Sequence, residues 1–200
     1  MTDEQLITRF IGGDVNAFNT LVWRWQKPIY NFIFRYLGKS EDSKDLTQRV
    51  FIKVHKNLKN LKDARKFTSW LYQIALNLCR DQAKSKYATS VHSLDALQES
   101  KNFDVSSETE ESGFSLVDPE VTLERSELRA LLEQALDMIP EEQKTVVIMK
   151  EFQGLKFIEI ADILKLPVNT VKSRMYYGLN ALKKVMDKWN IDMETLRYEQ

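Results

Sequence analysis

The sequence predicts an all-α fold: two small helical domains joined by a flexible acidic linker, the second domain carrying a helix-turn-helix. Three observations point there. Only 6 Gly and 4 Pro punctuate 200 residues, and apolar side chains recur at helical spacing over long stretches. The net charge of zero is a sum of unlike blocks: +8 over residues 35–86, −8 over residues 87–124, and balance elsewhere. Finally, the stretch "FIEIADILKLPVNTVKSRMYYGLNALKK", Phe157 to Lys184, reads as two short helices broken at Leu166-Pro167.

The elements follow in order. Thr2-x-x-Gln5 is a capping-box pattern, so a first helix starts near Asp3 and ends at Gly12-Gly13. Asp14 caps a second helical run, which Pro28 should kink or restart and which ends near Gly38. Ser40 or Ser43 opens a third helix to about Leu58, with Leu46, Val50, Val54 and Leu58 as its buried stripe. A polar connection, Lys59 to Arg65, leads to a fourth helix from about Lys66 to Lys86. From Tyr87 to Val117 no period persists, and "SKNFDVSSETEESGFS" reads as tether. Asp118-Pro119 starts a helix to about Met138, and Pro140 starts another that stops at Gly154. A last helix runs from about Asn169 to Lys188, capped by Asn169 or Thr170. The expected units are 1–90, a linker at 91–117, and 118–200.

Composition narrows the function. The chain has no run of about eighteen apolar residues and no basic-apolar-small leader, so a cytoplasmic protein without membrane insertion is expected. One cysteine, Cys79, excludes an intramolecular disulfide and a cysteine-based zinc cluster. His55 and His92 are isolated, with no paired-ligand spacing and no Gly-rich phosphate loop. No catalytic residue, metal or cofactor is expected, and the chain is read as a non-enzyme.

Two surfaces look built for nucleic acid. In the last helix, Val171, Met175, Leu179, Leu182 and Met186 form the expected core stripe. That leaves Asn169, Thr170, Lys172, Ser173, Arg174, Tyr176, Tyr177, Asn180, Lys183 and Lys184 for duplex DNA, with no acid between Ile163 and Met186. The alternative is a packed helical hairpin with a solvated basic face. In the fourth helix Phe67, Trp70, Leu71, Ile74 and Leu78 are read as core. Lys62, Arg65, Lys66, Ser69, Tyr72, Gln73, Asn77, Arg80 and Lys84 suit a single strand with its bases turned out, Tyr72 being the stacking candidate. In the third helix Ile52 points away from the buried stripe, among Asp45, Gln48, Arg49 and Lys56, and can anchor a protein partner.

Four blocks now carry a resemblance: "DVNAFNTLVWRW", "EDSKDLTQRVFIKVHKNL", "FTSWLYQIALNLCRD" and "IPEEQKTVVIMKEFQGLKFIEIADILKLPVNTVKSRMYYGLNAL". In this order they resemble bacterial extracytoplasmic-function (ECF) RNA polymerase sigma factors of the sigma-70 family. The resemblance implies a transcription initiation factor that binds core RNA polymerase and gives it promoter specificity. It implies that Asp45, Gln48, Arg49, Ile52 and Lys56 dock on the polymerase clamp. It implies that the loop Lys59–Lys66 and the helix around Asn77 hold the melted −10 strand, with one base flipped into a pocket. The helix Asn169–Lys184 would read the −35 duplex, and the acidic tether would thread toward the active-site and RNA-exit channels. Many relatives are also held by an anti-sigma factor. The chain departs from the family at Arg49, where Glu is usual, at Tyr177 and Leu179, where Arg is common, and at Lys165, where Gly is frequent. The competing reading is a free-standing dimeric helix-turn-helix regulator.

Overall fold

A computed structural model of the chain describes residues 1–93 and 130–189, and among them there are helices and turns but no strand. Helix α1 is Asp3–Ile11. Its capping box is formed as the sequence predicts: the Thr2 hydroxyl accepts from Gln5 N–H, and the Gln5 side chain accepts from Thr2 N–H. Helix α2, Val15–Leu37, is capped by Asp14 and runs through Pro28 as one helix. It ends at Gly38, whose φ of 69° lies in the left-handed region that glycine adopts freely. Helix α3, Ser40–Asn57, has no side-chain cap; the Ser43 hydroxyl donates back to the Lys39 carbonyl instead.

Two 3-10 turns, Leu58–Asn60 and Ala64–Lys66, lead into α4, Phe67–Ser93. This helix is seven residues longer than the apolar pattern predicts (Ser93 against Lys86). Residues 87–93 contain neither Gly nor Pro, so nothing in them stops the backbone ladder once begun. The remainder of the expected linker 91–117, and the first part of the helix expected from Asp118, lie outside the described residues.

Helix α5 covers residues 130–137. Helix α6, Glu141–Val147, continues as a π-helical turn, Ile148–Phe152, and the chain breaks at Gly154, φ 66°. Helix α7, Phe157–Leu164, starts where the Lys156 N–H donates to the Glu159 carboxylate at 2.6 Å. Lys165 follows at φ 57°, the left-handed position where glycine costs nothing and lysine is strained. Helix α8, Val168–Lys188, is preceded by Pro167 at the cap position, so neither Asn169 nor Thr170 serves as cap. Pro167 brings fixed φ and no N–H, which presets the first turn without a side-chain bond.

Buried apolar residues from both halves of the chain form one continuous core. Helix α4 lies at its centre, packed on α2 and α3 along one side and on α7 along another. Polar contacts close the same junction. Lys144, buried, donates to the Tyr36 carbonyl at 2.9 Å and to Asp137 at 2.5 Å. The Tyr36 hydroxyl donates to Glu141, which also meets Arg80 at 3.4 Å. Arg35 sits over the Phe152 ring at 4.5 Å from its centroid. Among the described residues no helix is long and apolar enough to cross a membrane.

Candidate nucleic-acid interface

Each candidate surface arises from a helix buried on one side and left polar on the other. In α8 the buried stripe is Val171, Met175, Gly178, Leu182 and Met186. The sequence places Leu179 in this stripe, and the structure corrects it: Leu179 is 47% exposed, and Gly178 takes the inner position. The reason is steric. A Cβ at Gly178 would stand 2.8 Å from Val147 Cγ2 and 3.3 Å from Gln143 Cβ, so α6 crosses α8 where there is no side chain. Asn169, Lys172, Ser173, Tyr176, Tyr177, Lys183 and Lys184 are exposed, with Thr170 and Asn180 half-buried. Tyr176 and Tyr177 meet edge-to-face at 5.6 Å. Arg174 stands apart from this group. Its guanidinium is turned to Glu142 at 2.5 Å and mostly covered, so it ties α8 to α6 rather than presenting a free cation.

In α4 the polar face holds Ser69, Gln73, Asn77, Arg80 and Lys84, with Asn77 and Lys84 exposed and the others half-buried. Lys62, Arg65 and Lys66 are exposed on the preceding turns. Arg65 folds back on Asp63 with two bonds, at 3.0 and 3.2 Å, which raises the guanidinium pKa further and holds the Asp63 carboxyl below its ordinary range. Tyr72 is a correction. It is 1% exposed, packed edge-on against Trp25 and Phe32, and its hydroxyl donates to Gln153 at 2.9 Å. Burial of the ring against α2, with its hydroxyl bonded to Gln153, removes it as a stacking surface, and that burial pushes its phenol pKa up.

Trp70 is the converse case. Read from sequence as core, it is half-buried and lines a cavity of about 280 Å³ with Lys53, Asn57, Asn60 and Ile74. The pattern gave no hint of Lys53, Asn57 or Asn60, because they come from the end of α3 and the turn after it. Two amides, a cation and an indole face around a cavity of this kind offer hydrogen bonds and stacking together.

The third surface is a groove of about 480 Å³ between α2 and α3. Gln48, Ile52 and Lys56 line it, joined by Phe18, Val22, Gln26 and Phe51. Ile52 is 54% exposed, as its position among charges predicts. Asp45 and Arg49 are exposed and pair with each other at 3.6 Å, one turn apart. The contribution of α2 was invisible in the α3 pattern.

Exposed polar and basic helix faces on an all-helical fold fit the class of helical nucleic-acid-binding proteins. Residues 21–89 match the family description "Sigma-70 region 2", and residues 129–182 match "Sigma-70, region 4". The chain is 34% identical over 173 residues to the ECF RNA polymerase sigma factor SigW of Bacillus subtilis, covering 86% of this chain and 90% of that protein. It is 32% identical over 189 residues to the ECF RNA polymerase sigma-E factor of Escherichia coli K12, covering 91% and 93%. The fold matches CnrH in complex with the cytosolic domain of CnrY, with TM-score 0.67 at 19% identity, covering 93% of this chain and 97% of that one. It also matches the sigma factor RpoE in complex with the anti-sigma factor NepR from Bartonella quintana, with TM-score 0.65 at 18% identity, covering 86% and 98%. The chain belongs to the extracytoplasmic-function sigma factors of the sigma-70 family.

Proposed function

We propose that this sigma factor reads its promoter in two pieces, with residues 1–90 and 118–200 as the reading units and 91–117 as their tether. As a sigma factor it binds core RNA polymerase and directs promoter recognition, DNA melting and transcription initiation. The observation that supports the two-piece reading is the coexistence of two unlike polar surfaces: the outer face of α8, which has no acid from Val168 to Met186, and the amide-lined cavity beside Trp70. The first suits a duplex major groove, where Asn169, Lys172, Ser173, Tyr176, Lys183 and Lys184 meet base edges and phosphates. The second suits a base flipped out of the melted −10 strand, held by Asn57, Asn60 and Trp70, with Asn77 exposed on the same helix as Trp70.

Capture of the melted strand and not the duplex shifts the closed–open equilibrium toward the open complex. No chemical step is needed, and the protein acts as a binding factor rather than an enzyme. The groove around Ile52 docks the polymerase, with Phe18, Val22 and Gln26 of α2 sharing the contact. An anti-sigma factor is the third partner class, and the cytoplasm, where polymerase and promoter reside, is its compartment.

Run-off transcription with purified core polymerase tests this. Asn77→Ala should reduce discrimination between −10 variants while leaving polymerase binding intact; unchanged discrimination removes Asn77 from the −10 surface. A gel shift separates the dimeric-regulator alternative, which requires specific duplex binding without polymerase.

A further inference from the structure

Lys172, Tyr176, Leu179 and Lys183 follow one another at spacings of four, three and four residues, so they form one ridge along α8. The two lysines stand exposed at its ends, roughly 16 Å apart along the helix axis. Between them Tyr176 is 65% and Leu179 47% exposed. Tyr177, itself 60% exposed, props the Tyr176 ring edge-to-face. A ridge with cationic ends and an apolar middle is complementary to a surface with phosphates at its edges and an apolar group between them.

The floor of the major groove offers one apolar group, the C5-methyl of thymine; the other readable groups there are hydrogen-bond donors and acceptors. An aliphatic side chain pressed on a donor or acceptor would desolvate it without a partner, which is unfavourable. Leu179 on this ridge therefore discriminates in favour of a methyl and against a bare polar edge. Tyr176 supplies a flat apolar face one turn earlier.

We propose that Tyr176 and Leu179 read thymine methyl groups, so the upstream duplex element recognised by this sigma factor places thymine against the middle of α8. The proposal rests on α8 as the duplex reader and names the base chemistry that it selects.

The probe is duplex DNA. Holoenzyme assembled from the full chain and core polymerase selects from a duplex library randomised over the upstream element. The selected duplex is remade with deoxyuridine replacing thymidine at single positions, which keeps the base pair and deletes only the methyl. At one or more positions affinity should fall about fourfold, the worth of one buried methyl. Leu179→Gln or Tyr176→Ser should then bind the thymine and uracil duplexes equally at its own position. A selected element without thymine, or uracil duplexes bound as tightly as thymine at every position, overturns the proposal. If that happens while the double variant Lys172→Ala, Lys183→Ala still weakens duplex binding, α8 remains the reader and methyl recognition alone is lost. If the double variant also binds duplex unchanged, the assignment of α8 falls with it.

Discussion

At the scale of single residues, several side chains behave differently from their average tendency, and each difference has a local cause. Glycine inside a helix ordinarily costs about 1 kcal/mol relative to alanine. At Gly178 the sign reverses, because a Cβ would stand 2.8 Å from a methyl of buried Val147. Gly178→Ala should therefore destabilise the protein by about 1–3 kcal/mol, the usual range for overpacking. Thermal melting checks this, and a raised melting temperature would show that α6 and α8 separate freely. The sequence left Gly178 out of the stripe because an absent side chain carries no apolar signal, and it took the neighbouring Leu179 instead. Cys79 was legible as an unpaired cysteine. What the structure adds is burial, which pushes its thiol pKa up to about 12 and keeps it protonated at neutral pH. The pairing of Arg174 with Glu142 was not legible, since it depends on how two helices cross and not on any spacing.

At the scale of elements, periodicity succeeded in α3, which buries one face, and failed in α4, which buries two. In α3 the stripe Leu46, Val50, Val54 is fully buried, and Ile52 stands out as the sequence predicts. Ile52→Glu should leave the melting temperature nearly unchanged, because the side chain is half in water already. It should weaken binding to core polymerase by tenfold or more, roughly the effect of losing an interface anchor; a fluorescence titration with labelled core polymerase measures it, and unchanged affinity would move the docking surface elsewhere. In α4, by contrast, Phe67, Leu71, Tyr72, Ala75, Leu76, Leu78 and Cys79 are all buried, and they span more than one face. The second face is covered by residues distant in sequence, which no local period encodes. That is why Tyr72 reads as a surface residue and Trp70 as plain core, when the structure buries Tyr72 and leaves Trp70 half-buried. In α8 the boundary was legible from Pro167, but the capping role given to Asn169 or Thr170 was not needed.

At the scale of the whole molecule, the junction between the halves is both a stability device and a charge-sensitive one. The Tyr36 and Tyr72 phenols lie in it, and burial raises both above the ordinary tyrosine range, Glu141 adding to the effect at Tyr36. A group that holds its proton more tightly when folded contributes stability that is fully present below its unfolded pKa, about 10 for tyrosine, and is lost as pH rises beyond it. The melting temperature should therefore fall as pH rises above about 10, and less in Tyr72→Phe than in the native chain. Equal drops in both would place the alkaline transition elsewhere. The junction also engages Arg80 with Glu141 at 3.4 Å. Arg80, expected from the sequence on the single-strand face, thus has its Nε turned to the junction.

The gap at Gly178 has a consequence for meaning as well as for strength. Successive residues of an α-helix point about 100° apart. A one-position shift in how α8 seats on α6 would swing Lys172, Tyr176 and Leu179 away from the direction in which they are exposed. Only a residue without a side chain fits beneath Val147, so the helix has one seating and hence one reading frame. On the proposed reading of α8, Gly178 would set which bases are spelled out, from the side of the helix turned to α6.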